Sequence, residues 1–163
     1  MFDVSTNEWH QRKSYGYDNW RPVFTAQIDG VTFAGDSLTG RIAKLDGETF
    51  TEFGSIVRAE GTCPPVSGGS TMIHHRLEMM FEAGVGTLAT PAPQVMLKWS
   101  DDNGKSWSNE IWRNLGAQGG YGTRTIWNRL GKAKKHRIYK WAISDSVRRT
   151  LIDATLDLEP CAQ

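Results

Sequence analysis

Cysteine is nearly missing from this chain: of its 163 residues, only Cys63 and Cys161 carry a thiol. They form no Cys-x-x-Cys pair and no zinc spacing, so two free thiols in a reducing compartment are expected. An excess of one charge is missing too. Nineteen lysines and arginines face eighteen acidic residues, which leaves no global field to draw nucleic acid or a membrane surface. No apolar run approaches the roughly 20 residues that a membrane-spanning helix needs. The start, Met1-Phe2-Asp3-Val4-Ser5, has neither the basic residues nor the apolar stretch of a secretion signal. A soluble chain without its own export signal is therefore expected. Catalytic patterns are absent as well. The four histidines show no ligand spacing, and no serine sits among the glycines of a nucleophile elbow. The sequence points away from an enzyme and calls for no metal and no cofactor.

What the chain does hold is glycine and tryptophan, seventeen and seven of them. Glycine supplies turns and tryptophan fills half-buried sheet faces, a combination that predicts an all-β fold. Residues 1–60 read as short strands and turns. Phe2-Asp3-Val4 meets a turn at Ser5-Thr6-Asn7-Glu8, and Trp9 opens the return. Residues 24–28 alternate, turn at Asp29-Gly30 and return over 31–34, a strong hairpin signal. A further turn over 35–40 precedes a strand over 41–45, stopped by Asp46-Gly47. This rhythm has the spacing of propeller blades, and the first unit looks like a kelch-type blade. The run 61–70, with Pro64-Pro65 and Gly68-Gly69, marks a boundary. Beyond it, longer strands are predicted at 72–81, 94–100, 106–113, 125–130, 136–144 and 154–159, with glycine-rich or basic turns at 116–122 and 131–135. Such strands with short connections suggest an antiparallel sandwich, and 147–154 has the pattern of a single helical turn. The expected organisation is propeller-type blade elements over 1–60, followed by an antiparallel β-sandwich over 61–163.

The most telling stretch is Ser100-Asp101-Asp102-Asn103-Gly104-Lys105-Ser106-Trp107, which follows the apolar run Val95-Met96-Leu97-Lys98-Trp99. It fits the Asp-box pattern, Ser-x-Asp-x-Gly-x-Thr/Ser-Trp, and predicts a hairpin. Ser100, Asp102, Gly104 and Trp107 are its expected clamp. The Asp102 carboxylate bonds N–H groups of its own turn, Gly104 takes a positive φ, and Trp107 folds over the turn as the return strand begins. Asp101, Asp102 and Asn103 also offer oxygens to a cation. The closing glutamate and flanking helices of a calcium loop are missing, so the structural turn is preferred.

Other chemistry-bearing residues have plainer readings. His74 and His75 are neighbours and fall on opposite faces of a strand, too far apart in direction to share one metal. Glu78 and Glu82 read as a solvated face. Trp99, Trp107, Trp112, Trp127 and Trp141 read as sandwich core and rim in preference to a stacking platform for sugars or bases. Positive charge gathers in Arg129, Lys132, Lys134, Lys135, His136 and Arg137, backed by Arg148 and Arg149. A solvated hairpin tip is the plainer reading. Lys132, Lys134, Lys135 and Arg137 are also the candidates for contact with phosphates or with an acidic neighbouring subunit.

The string from Val95 to Ser108 continues through Leu115-Gly116, Gly119-Gly120-Tyr121, Arg124, Ile126-Trp127-Asn128-Arg129-Leu130-Gly131 and Ile143-Ser144-Asp145. In that order it resembles the C-terminal part of the packaged-DNA stabilisation (tail accessory, or nozzle) proteins of short-tailed bacteriophages. Residues 2–10, and 35–40 through Leu45-Asp46, resemble the last blade elements of the same proteins. The likeness covers nearly all of the chain. The family members are much longer, and this chain begins inside their propeller. Since a propeller closes with typically four to eight blades, a fragment, one half of a split gene, or a shortened protein covered by a partner is expected.

The resemblance implies a structural virion protein of the portal-proximal tail, assembled in the host cytoplasm. It implies a ring of copies, sixfold, that extends the DNA channel and helps retain packaged DNA. The implied partners are further copies of the chain, the portal and its adaptor, other tail proteins, and the genomic DNA in the channel, with no membrane. The residue-level carry-over is structural: Ser100, Asp102, Gly104 and Trp107 as the turn clamp, and 127–131 as the next strand and turn. Two other classes compete. A sialidase-like fragment would need the arginine cluster and Tyr–Glu pair that a whole propeller gathers. A carbohydrate-binding β-sandwich would present Trp112 or Tyr121 as a stacking platform.

Overall fold

Strands joined by glycine and Asx turns make up the regular structure of the computed structural model, which describes residues 2–4 and 7–161. Among the described residues there is no helix, hence none long and apolar enough to cross a membrane. The chain divides into two compact units between Arg58 and Ala59.

In the first unit, β1 (Phe2–Asp3) pairs antiparallel with β2 (Glu8–Trp9), and the Phe2 and Trp9 rings lie 5.2 Å apart. Ser5 and Thr6, half of the turn expected there, lie outside the described residues. Next, β3 (Pro22–Ile28), β4 (Val31–Asp36) and β5 (Ile42–Lys44) form an antiparallel sheet in that order. Asp29 and Gly30 both take positive φ, 49° and 77°, the two-residue turn whose twist matches that of a hairpin. A small hairpin of β6 (Thr51–Glu52) and β7 (Ser55–Ile56) follows. The sheets are of two and three strands, so the short strands and hairpins expected there are present, and no four-stranded blade forms among the described residues.

This unit buries charge where a small domain usually buries hydrocarbon. Among its described residues Ala34 is the one buried hydrophobic, while Ser14, Arg21 and Asp36 are buried polar residues. Arg21 Nε donates to Asp36 Oδ1 at 3.0 Å and Nη2 to Oδ2 at 2.6 Å. Asp36 also accepts from the Leu38 amide and the Thr39 hydroxyl, at 3.2 and 2.5 Å. Arg21 foremost, with Thr39 and Leu38 behind it, holds the Asp36 carboxyl far below the usual carboxylate range. The apolar side chains are left outside. Register and alternation put Phe24, Ala26, Ile28, Val31, Phe33 and Ile42 on one face of the three-stranded sheet. Phe24, Ile28 and Ile42 are 56%, 59% and 69% exposed on it. Gly35 allows this face to form, because a Cβ there would stand 2.1 Å from Phe24 Cε1.

The second unit is a pair of antiparallel sheets. One runs β11 (Ile111–Asn114), β10 (Gln94–Ser100), β13 (Ile138–Ile143), β8 (Ala59–Thr62). The other runs β12 (Thr125–Ala133), β9 (Met72–Phe81), β14 (Leu151–Pro160). Leu77, Met79 and Phe81 from β9, with Trp127 and Leu130 from β12, meet Val95 and Leu97 from β10 and Tyr139 and Ile143 from β13. Side chains from both sheets thus make one core, the arrangement of a sandwich. On the β11–β12 side the layers are stitched by side chains. The Trp127 indole donates to the Ile111 carbonyl at 3.0 Å and Arg113 Nε to the Ile126 carbonyl at 2.8 Å.

Several boundaries differ from the sequence expectation. The run 61–70 is not wholly linker, since Gly61 and Thr62 belong to edge strand β8, and Val66 bridges Arg137. The strand expected over 106–113 is shorter and later, Ile111–Asn114. Ser108 explains the delay: its amide donates to the Trp99 carbonyl at 2.8 Å and its hydroxyl accepts from the Trp99 amide at 3.0 Å. The hydroxyl stands in for a ladder position, and regular pairing resumes only beyond it. Strand β12 runs past Leu130 to Ala133, so 131–133 are strand where a turn is expected. A bulge between Asn128 and Gly131 makes this possible, with φ of 58° at Arg129 and 79° at Gly131. The helical turn expected over 147–154 is absent. Val147 is a buried loop residue, and β14 begins at Leu151.

Candidate functional site

The turn after β10 is closed by its own side chains. Asp102 accepts from the Ser106 amide at 2.9 and 3.0 Å and from the Ser106 hydroxyl at 2.6 Å. Ser100 Oγ donates to Asp102 Oδ1 at 2.7 Å and accepts from the Gly104 amide at 2.8 Å. The Ser106 hydroxyl and amide, then the Ser100 hydroxyl, hold the Asp102 carboxyl far below the usual range. Asn103 and Gly104 take φ of 63° and 84°. A Cβ on Gly104 would lie 3.7 Å from Trp107 Cζ2, which places the indole over the turn, and Lys98 Nζ sits 5.4 Å from its centroid. Trp107 does not open the return strand, which waits for Ile111.

Asp101, next in the turn, leaves it. Both its oxygens bind the Arg137 guanidinium, Oδ1 from Nε at 2.6 Å and Oδ2 from Nη2 at 2.7 Å. The carboxylate oxygens of Asp101 and Asp102 are thus committed to Arg137, Ser100 and Ser106. Among the described residues no three His, Cys, Asp or Glu side chains gather as a metal ion would need.

Arg137 stands apart from the basic run in which the sequence places it. It is 2% exposed. Besides Asp101, it donates to the carbonyls of Leu130 at 2.6 Å and Lys132 at 3.1 Å. Leu130 lies in the β12 bulge and Lys132 just beyond it, and the guanidinium supplies hydrogen bonds to both carbonyls. It also lies 5.1 Å from the Trp99 ring centroid. Arg137 is an internal brace joining the turn, the bulge and β13, and as a surface contact it is corrected. Lys132, Lys134 and Lys135 are exposed, with Lys132 on β12 itself. Arg129 is exposed beside them, His136 half-buried.

His74 is a buried residue that the sequence offered only as half of a histidine pair. The Tyr139 hydroxyl meets its Nδ1 at 2.7 Å, and Nε2 is buried without a hydrogen-bond partner. Burial, then the charge of Arg137, pushes its pKa down to about 4, so the ring is neutral. Burial likewise pushes Tyr139 up to about 12, so its hydroxyl keeps its proton. His75 faces outward, 2.9 Å from Glu159. Glu78 is not a free solvated acid, since Arg76 and Arg124 both bind it. Of the tryptophans, Trp127 is fully buried, Trp99 and Trp141 pack against the core, and Trp112 is 46% exposed. Tyr121 is exposed, with its ring against Gly84.

Asp101, Asp102 and Arg137 of this sandwich are thus spent on its own turn and bulge. Residues 66–159 match the family model described as Bacteriophage P22 Gp10, beta-sandwich. The match takes in β9 to β13 and nearly all of β14, more than half of the chain. The chain belongs to that family and carries the C-terminal part of a tail (nozzle) protein of short-tailed bacteriophages. No curated protein is similar enough to count as a relative.

Proposed function

We propose that this phage tail protein acts as a ring of its own copies at the portal-proximal end of the tail, extending the DNA channel and helping to retain packaged DNA. The observation that carries the reading is the family match over 66–159. The exposed apolar sheet face of the first unit supports it. Phe24, Ile28 and Ile42 there need a covering surface, as a propeller blade needs its neighbour. On this reading residues 1–60 are propeller-type blade elements, and the 100–107 turn is an Asp box that serves stability. The partners are further copies, portal and adaptor, other tail proteins, and the DNA in the channel; the chain works in the virion after assembly in the host cytoplasm.

The role is non-catalytic. Asp102, the most perturbed acid of the sandwich, has its oxygens saturated by the turn, which leaves no lone pair for acid–base work. No turnover of a chromogenic sialoside is expected. Electron-microscopic imaging of the purified chain and of the parent virion tests the main proposal. Closed rings, and matching density beneath the portal, are expected. A chain that stays monomeric at high concentration, with no density in the tail, overturns it.

A further inference from the structure

The two edges of the β12-β9-β14 sheet carry opposite charge. Lys132, Lys134, Lys135 and Arg129 stand exposed on β12 and the turn beyond it. Asp153, Asp157 and Glu159 stand exposed on β14. The register fixes their separation, because Lys132 and Glu159 both pair with Ile73 of the central strand. They lie in one row, two strand spacings or about 10 Å apart. Among the described residues the four cations and Asp157 take no ion pair. Asp153 bonds only its neighbour's amide, and Glu159 meets His75.

Neither edge is made for strand addition. Arg113 and Arg137 occupy the outer carbonyls of β12 at Ile126, Leu130 and Lys132. Strand β14 is broken by irregularities at Leu151/Asp153 and Asp157/Leu158 and ends in Pro160. Bulges, proline and charge are the devices that blunt an edge against backbone pairing. Contact at these edges therefore runs through side chains, and complementary charge selects it.

We infer that, in the ring proposed above and resting on it, the basic β12–β13 edge of one copy docks on the acidic β14 edge of the next. Opposite edges of one sheet give the head-to-tail contact that a closed ring repeats. The charges suit protein better than DNA. Arg137 is withdrawn into the core, and the acids of one edge match the exposed lysines and Arg129 of the other.

Charge reversal tests it by sedimentation at low salt. Lys132→Glu, Lys134→Glu and Lys135→Glu together should raise the concentration for half-assembly at least about tenfold. Asp153→Lys, Asp157→Lys and Glu159→Lys together should do the same. A 1:1 mixture of the two proteins, and a chain with all six changes, should assemble again. If the reversed proteins do not fold, carbodiimide coupling of the wild-type chain, mixed from two isotope labels, replaces them. Amides linking 132–135 of one label to 153–159 of the other are then expected. A folded six-change chain that does not assemble, or inter-copy coupling elsewhere only, overturns the inference while leaving the ring standing. Intact assembly of the lysine-reversed chain with lost binding to duplex DNA assigns the edge to phosphates and overturns it as well. A wild-type chain that never assembles overturns both the contact and the ring.

Discussion

His74 is the residue whose protonation the second unit resists most. Its pKa of about 4 lies below the ordinary value of 6.5, so between these pH values the unfolded chain binds a proton that the folded chain refuses. Its contribution is complete above pH 6.5, falls as pH drops from 6.5 toward 4, and is gone below that. The full difference is about 3 kcal/mol. Urea unfolding of the whole chain across pH 7 to 4 should show this slope, and His74→Leu should flatten it. An unchanged slope in the variant would assign the acid sensitivity to other groups. The opposite facing of His74 and His75 is legible from strand alternation. Which of the two goes inside is not, because the register of β9 with β14 skips His75 and reverses the parity that Leu77, Met79 and Phe81 set. Arg137 is hidden for a similar reason. In sequence it closes a basic run, and only the tertiary approach of β12 brings it the Leu130 and Lys132 carbonyls and Asp101.

At the scale of the element, the turn and the bulge are one assembly held from two sides. Asp102→Ala removes every carboxylate bond that closes the 100–107 turn, and calorimetry should show a lower melting temperature. Added calcium should not restore it; a calcium-dependent melting shift in the parent chain would favour a metal loop. Arg137→Ala leaves the Leu130 and Lys132 carbonyls without their donor and Asp101 without its cation. A loss on the order of 1–3 kcal/mol is expected, since the carbonyls lose their buried donor while Asp101, 42% exposed, turns to water. Hydrogen exchange at 129–133 should quicken more than exchange in β9. Strands β9 and β10 are fully legible, Met72–Phe81 and Gln94–Ser100, because an apolar stretch bounded by glycine, proline or turn residues marks each. The strand after the turn is not. Ser108 imitates a ladder residue with its hydroxyl, a substitution that propensity does not register.

On the scale of the whole molecule, the two units are stabilised in different ways, and this bears on assembly. The second has a core of Trp127, Leu97, Ile143 and their neighbours drawn from both sheets. The first has Arg21 and Asp36 inside and its apolar face outside. Burying an ion pair contributes little net stability, whereas an uncovered apolar face is a standing drive toward association. If that face is an interface between chains, a charge placed on it should break assembly without unfolding the protein. Ile28→Asp and Ile42→Asp remove side chains that are 59% and 69% exposed in the isolated chain. Each should change stability by no more than about 0.5 kcal/mol, as exposed substitutions usually do. Both should shift sedimentation toward the monomer, and they should do so in high salt as well as low, because apolar contact is not screened. That salt response separates this face from the charged sandwich edges, whose contact weakens as ionic strength rises. A variant that melts earlier yet assembles normally would show instead that the face is needed by its own unit, and that rings form without it.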